Sequence, residues 1–272
     1  QAFPERPFES SKAWKEMVHR YLAGSLMLLV FAMSWLAWRG PERLHKFRAL
    51  ATSLTILIIF QALLGMWTVT LKLKPIIVMA HLIGGLGSFS LILWLMFSSR
   101  RQFIYKPSMN IRRMRNPIIV AIVVLGMQIA LGGWTSANYA ALACPDFPTC
   151  SGEWWPEANF SEGFILWREV GVNYEGGLLD QQSRIAIHLA HRIGAIVTLL
   201  VLITLAFRLR KVPRLRTGGH LLMSLVLAQF TLGIFNVVLY LPLANAVAHN
   251  AGAALLLATL LSLLSKTSSR AH

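Results

Sequence analysis

Charge is scarce in this sequence, and acidic charge is scarcest. Asp, Glu, Lys and Arg make up 14% of the 272 residues, with 11 acidic residues against 26 basic ones. Because 56% of the residues are hydrophobic, that shortage excludes an ordinary soluble domain. Cysteine is rare too, with two in the chain, and the sequence opens on Gln1.

What the chain does have is seven long apolar runs, at about 14–38, 50–71, 76–97, 117–138, 184–207, 220–240 and 244–264. Each supplies the roughly 20 helical residues that cross a hydrocarbon core. Helices are expected because a lone strand would leave its backbone unpaired in lipid. The predicted fold class is therefore all-α, a polytopic membrane helical bundle.

A net charge of +15 would suit nucleic acid, but the charges sort by side. Arg39, Arg43, Lys46 and Arg48 share one connection, and Arg100, Arg101, Lys106, Arg112, Arg113 and Arg115 share another. Arg208, Arg210, Lys211, Arg214 and Arg216 share a third, and Lys266 and Arg270 lie in the tail. These fall in alternate connections, as the positive-inside rule requires of cytoplasmic loops. All the acids except Glu42 lie in the N-terminal segment or the 139–183 loop, which then face outward. Topology accounts for the charge, so lipid and not nucleic acid is the expected partner. The expected location is the bacterial inner membrane or its equivalent. An outside N-terminus ahead of seven helices leads to the expectation of an earlier transmembrane helix absent from this sequence.

The chain repeats itself. "HRYLAGSL" at 19–26 resembles "HRIGAIVTL" at 191–199. The next helix in each half carries Gln, two residues and Leu-Gly, in "QALLGMW" (61–67) and "QFTLGIF" (229–235). A His follows on the helix after that, in both cases 20 residues beyond the Gln, at His81 and His249. A tandem duplication explains the equal spacing. The second copy has an extra first helix, 117–138, with its own "QIALGGW" (128–134). The halves are thus 1–116 and 117–272, seven helices of a 4+4 pseudo-two-fold repeat whose axis runs along the membrane normal.

Four of the eight histidines, His19, His81, His191 and His249, sit inside apolar segments at equivalent places near one membrane level. A polar group at that depth is a functional hypothesis by default. Paired imidazoles from facing helices, with no Cys or carboxylate beside them, fit a bis-histidine haem better than tetrahedral zinc. The repeat pairs His19 with His81 and His191 with His249. His188, three residues before His191, could compete as a ligand but has no counterpart in the first copy, and is read as a neighbour of the ligand. His45, His220 and His272 are read as solvated.

Arg20 and Arg192 directly follow the first His of each pair. Two readings stand for them: bidentate pairing with haem propionates, or interfacial snorkelling. Glu16 occupies, in the first copy, the place of His188 in the second. It is read either as an acid-base group that makes the first haem the catalytic one, or as an exposed acid at a helix start. Cys144 and Cys150, in "ACPDFPTCSG" on the outward loop, are expected to form a disulfide, with a redox-active pair as the alternative. The spacing lacks the C-x-x-C-H of covalent haem attachment. "GEWWP" (152–156) is read as an aromatic anchor at the interface.

Taken in order, "EMVHR", the Gln61 to Val69 stretch with His81 behind it, "CPDFPTC", "HLAHR", and "QFTLG" with His249 resemble the haem A synthases of aerobic respiratory chains. The resemblance spans essentially the whole chain. It implies an eight-helix protein that oxidises the C8 methyl of haem O to a formyl group by successive hydroxylation. It further implies haem b held by His191 and His249, substrate haem O held by His19 and His81, and Glu16 assisting near the methyl. The implied partners are the farnesyltransferase that makes haem O and an electron acceptor, in a chain that could form a homo-oligomer. The family's first helix and the loop after it have no counterpart here. The competing expectation is a diheme bis-histidine cytochrome b linked to quinol. Such carriers usually place His pairs near both membrane faces, whereas all four here share one level.

Overall fold

The computed structural model describes residues 10–100 and 108–267. Arg101, Lys106, Arg270 and His272 lie outside the described residues. Seven long helices are present: α1 (Ser10–Arg39), α2 (Arg48–Thr70), α3 (Pro75–Arg100), α4 (Arg115–Ala137), α5 (Gln181–Arg210), α6 (Arg216–Val238) and α7 (Leu243–Thr267). All seven are long and apolar enough to cross a membrane, and each contains most of one apolar run. The helices overshoot the runs because polar and basic end residues continue the backbone ladder beyond the apolar stretch. The molecule is a helical polytopic membrane bundle, with no strand among the described residues.

The chain forms two compact units, Gln1–Ala62 and Leu63–His272. In the first, a 3₁₀ turn (Glu42–Phe47) joins α1 to α2. The last carbonyls of α1 have no helical partner. Arg48 supplies one, donating from Nε to Ala37 O (3.2 Å) and from NH2 to Trp38 O (3.1 Å), with its guanidinium stacked on the Trp38 ring. Leu28, Leu29, Trp35 and Ile56 are exposed on this unit, where lipid tails solvate them as well as side chains would.

In the second unit α4, α5, α6 and α7 form a ring. Both α4 and α6 pack on α5 and on α7, and α3 lies against α4 and α7. So α5 and α7 occupy one diagonal of the ring. Its leucine core holds Ile118, Leu125, Leu202, Leu222, Leu256 and Leu260, among others. On α5 and α7 the buried residues of that core begin at Leu202 and Leu256, farther along each helix than His191 and His249.

The repeat is written in the backbone as well as in the sequence. Eleven residues beyond each Gln of the Gln-x-x-Leu-Gly motif, the helix closes on a left-handed residue: Lys72 (φ 50°), Tyr139 (φ 54°) and Tyr240 (φ 56°). In each case the next N–H returns to the carbonyl five residues back: Leu73 to Thr68 (2.8 Å), Ala140 to Thr135 (2.9 Å) and Leu241 to Asn236 (2.8 Å). This helix stop normally recruits Gly. Three non-glycine residues accept the cost of φ > 0 in one register, so one helix ending serves three times.

The chain between α4 and α5 is ordered by side chains. Trp134 Nε1 donates to Gly163 O (2.9 Å), Gln181 Nε2 to Ala143 O (3.0 Å), and Arg168 to both the carboxylate and the carbonyl of Glu162. Asp180 caps α5 by accepting from Ser183 N (2.7 Å). The same connection reaches the α2–α3 turn, where Tyr174 N donates to Lys72 O (3.1 Å) and the Lys74 ammonium lies 3.5 Å from the Trp167 ring centre.

Candidate functional site

His191 projects from the third turn of α5, and His249 from the second turn of α7. The two imidazoles thus stand on helices that are diagonal in the ring. Each rests on a glycine of an intervening helix. A Cβ on Gly132 of α4 would lie 3.2 Å from His191 Cε1, and one on Gly233 of α6 would lie 3.2 Å from His249 Cε1. Any side chain there would press on the ring. The motif glutamines close the contact: Gln128 Nε2 donates to His191 O (3.0 Å) and lies 3.1 Å from His191 Nδ1, while Gln229 Nε2 donates to His249 O (2.9 Å).

No three His, Cys, Asp or Glu side chains converge to hold a metal ion among the described residues. Two opposed imidazoles suit a metal that brings its own equatorial donors, as in a porphyrin. Gly132 and Gly233 stand against the two imidazoles, and Gln128 and Gln229 bond their backbone carbonyls.

His188 and Arg192 flank His191 and both turn to the disulfide loop. His188 is buried, accepts the Cys144 N–H on Nδ1 (3.3 Å), and also bonds the Ala140 backbone. Its polar edge is spent on the loop and not on a metal. Arg192 donates to three carbonyls, from NH1 to Thr149 (2.8 Å) and from NH2 to Asp146 (2.7 Å) and Cys144 (3.1 Å), with the Phe147 ring beside it. Cys144 and Cys150 are joined in a disulfide and buried. Asp146 ties the same loop together, accepting from the Thr149 hydroxyl, Ser151 N (2.5 Å) and Gly152 N (2.9 Å). Those bonds, the Thr149 hydroxyl first, draw its carboxyl from 3.8 down to about 2.

In the first unit, Glu16 and His19 lie one turn apart on α1, and Arg20 NH2 reaches back to Glu16 Oε1 at 2.5 Å, both side chains being exposed. In the second unit His81 stands on α3, and a Cβ on Gly65 would lie 3.2 Å from its Cε1, the third copy of that contact. His45 Nε2 lies 3.2 Å from Gly40 O in the α1–α2 turn, and His220 is exposed. Trp154 and Trp155 of the loop are exposed. Sequence reasoning used Gln-x-x-Leu-Gly only to register the repeat. The signal for its role was its threefold recurrence one helix away from a His.

A profile of the cytochrome oxidase assembly protein family matches residues 2–261. The chain is 45% identical over 261 residues to the haem A synthase of Shewanella oneidensis, covering 96% of this chain and 78% of that protein. It is 28% identical over 235 residues to the haem A synthase of Shouchella clausii (83% and 70%), and 28% identical over 264 residues to that of Rhizorhabdus wittichii (93% and 71%).

Proposed function

The chain belongs to the haem A synthase family, and from that premise we propose that it oxidises the C8 methyl of haem O to a formyl group, yielding haem A for terminal oxidase assembly. The observation that carries this reading is the opposed pair His191 and His249, each seated on a glycine and held by a glutamine, within a chain so similar to a haem A synthase. The diheme electron carrier is not favoured, since the matched relatives are haem A synthases.

His191 and His249 would hold haem b, which supplies one-electron chemistry when bound. The residues around that site do the rest. His188 and Arg192 fasten the disulfide loop to the histidine end of α5, excluding water from the site edge. Arg192 Nε is buried with no acceptor, so a propionate oxygen could take that donor alone.

The repeat assigns the substrate haem O to His19 and His81 in the half spanning 1–116. Glu16, one turn from His19, would accept the proton that the methyl carbon loses while its electrons pass to the electron acceptor, and Arg20 orients that carboxylate through the 2.5 Å contact. The loop ends of the helices face the outer side, and the Arg- and Lys-rich connections face the cytoplasm. Haem O, bearing a farnesyl group, comes from a farnesyltransferase in the same membrane.

The test is to express the protein with haem O, extract the pigments, and look for the formyl haem by absorption and mass. Formyl haem is expected. Haem O returned unchanged from intact, haem-loaded protein would overturn the proposal.

A further inference from the structure

We propose that Gln128 and Gln229 are positioning residues for the iron ligands His191 and His249. Each amide holds the backbone carbonyl of its histidine, and Gln128 also lies 3.1 Å from Nδ1, which leaves Nε2 for the metal, while Gly132 and Gly233 set how closely the ring seats. The inference rests on the proposal that these two histidines ligate haem b.

The contact is a reciprocal lock between adjacent helices. The glycine of Gln-x-x-Leu-Gly admits the imidazole, with the 3.2 Å approach to Cε1 repeated at both sites. The facing helix carries His-x-x-Gly, as His191 with Gly194 and His249 with Gly252, and that glycine admits the amide. A Cβ on Gly194 would lie 2.3 Å from Gln128 Oε1, and one on Gly252 would lie 2.2 Å from Gln229 Oε1. Neither glycine tolerates a side chain without moving the glutamine. The α2–α3 pair carries the same two motifs, ending in Gly65 and Gly84, and Gly65 approaches His81 Cε1 at the same distance.

The polar atoms left over at this lock point to its task. Gln128 Oε1 and Gln229 Oε1 are buried with no donor. Orphaned buried polar atoms are costly and call for an explanation. An imidazole that gives its Nε2 lone pair to iron carries its proton on Nδ1 and needs an acceptor there. A side-chain amide offers an acceptor at one end and donors at the other. Gln229 carries such an acceptor, Oε1, on a residue already anchored to the His249 carbonyl. At the other site it is the Gln128 amide nitrogen that lies 3.1 Å from His191 Nδ1, so there the amide must turn its oxygen to that edge when the imidazole ligates through Nε2.

The experiment compares the wild-type holoprotein, purified with haem b alone, with Q128L, Q229L, Q128E and Q229E, and with G132A and G233A. Haem content is read by pyridine haemochromogen, and ligand geometry by the low-spin electron paramagnetic resonance spectrum. Ligand basicity is read from the midpoint potential. A stronger acceptor at Nδ1 makes the imidazole more basic and favours ferric iron. The potential is expected to fall in the order Leu, Gln, Glu, and the alanine variants to shift the largest g value with haem retained. A glutamine that merely joins two helices would change thermal stability without that ordering. Haem-loaded Leu and Glu variants with wild-type potential and spectrum would overturn the proposal. Should a Leu variant bind no haem, the isosteric Glu variant decides alone, by a lowered or an unchanged potential. His191→Ala that keeps a bis-histidine spectrum would instead sink the ligand reading on which the inference rests.

Discussion

Replacing Arg192 with Met tests whether the guanidinium serves the disulfide loop. The variant keeps an apolar stem beside Phe147 and removes three donated hydrogen bonds, to Thr149, Asp146 and Cys144. Bonds from a charged donor are worth roughly 1.5–3 kcal/mol each in isolation. These three share one loop and one half-buried side chain, so they do not add, and the freed carbonyls recover some water. A net loss of about 2–4 kcal/mol from the free energy of local loop opening is the reasonable total. In amide hydrogen exchange that is an acceleration of about 30-fold to about 1000-fold, confined to the 144–152 segment. Arg192→Lys keeps the charge but not the fork, and should fall between. The disulfide and the helical content should be unchanged. Unaltered loop exchange in Arg192→Met, coupled with loss of bound haem, would refute the assignment and return Arg192 to direct propionate binding.

Glu16→Ala should abolish haem O conversion while leaving the bis-histidine spectrum in place; loss of haem would make Glu16 a structural residue. His191→Ala and His249→Ala should each remove haem b, whereas His188→Gln should retain it and instead accelerate exchange at Cys144, which pyridine haemochromogen and hydrogen exchange separate. The loop should also respond to acid through Asp146. Its folded value of about 2 lies below its ordinary 3.8, so its contribution is complete above about 4 and is lost as pH falls toward 2. Loop exchange, corrected for intrinsic rate, should rise across that window in wild type and be flat in Asp146→Asn. A flat wild-type profile would remove Asp146 from the account.

The helices were legible because their signal is long and one-dimensional. Seven apolar runs must become helices in lipid, and only the ends moved, as at Ser10 and Arg210, where polar residues extend the ladder. The repeat was legible too, since Gln61 and Gln229 keep a fixed distance to a downstream His. What sequence reading left undecided depends on which way a side chain turns. Arg192 could serve a propionate, lipid headgroups or the loop, and only the position of three loop carbonyls within reach gives NH1 and NH2 to the loop. Likewise, nothing in "HLAHR" says that His188 faces Cys144 N while His191, less than a turn later, faces Gly132. The closeness of Gly132 and Gly233 to an imidazole edge is a contact between helices, and no spacing along one helix reports it.

The repeat now has a more specific difference than its missing symmetry. At three before and one after the first His of each half stand His188 and Arg192 in one copy, and Glu16 and Arg20 in the other. In the second copy both side chains turn to the same loop, which a disulfide and Asp146 hold in one shape. In the first copy the two bond each other across one helical turn, exposed to their surroundings, an arrangement worth little to stability. A site strapped shut by its flanking residues suits a haem that stays. A flanking carboxylate tied only to a neighbouring guanidinium keeps an exchangeable acid-base group one turn from the metal ligand, which is what a haem that is chemically changed requires. On the proposed assignment, duplication would supply two equivalent ligand positions, and the residue three places upstream would set which of them does chemistry.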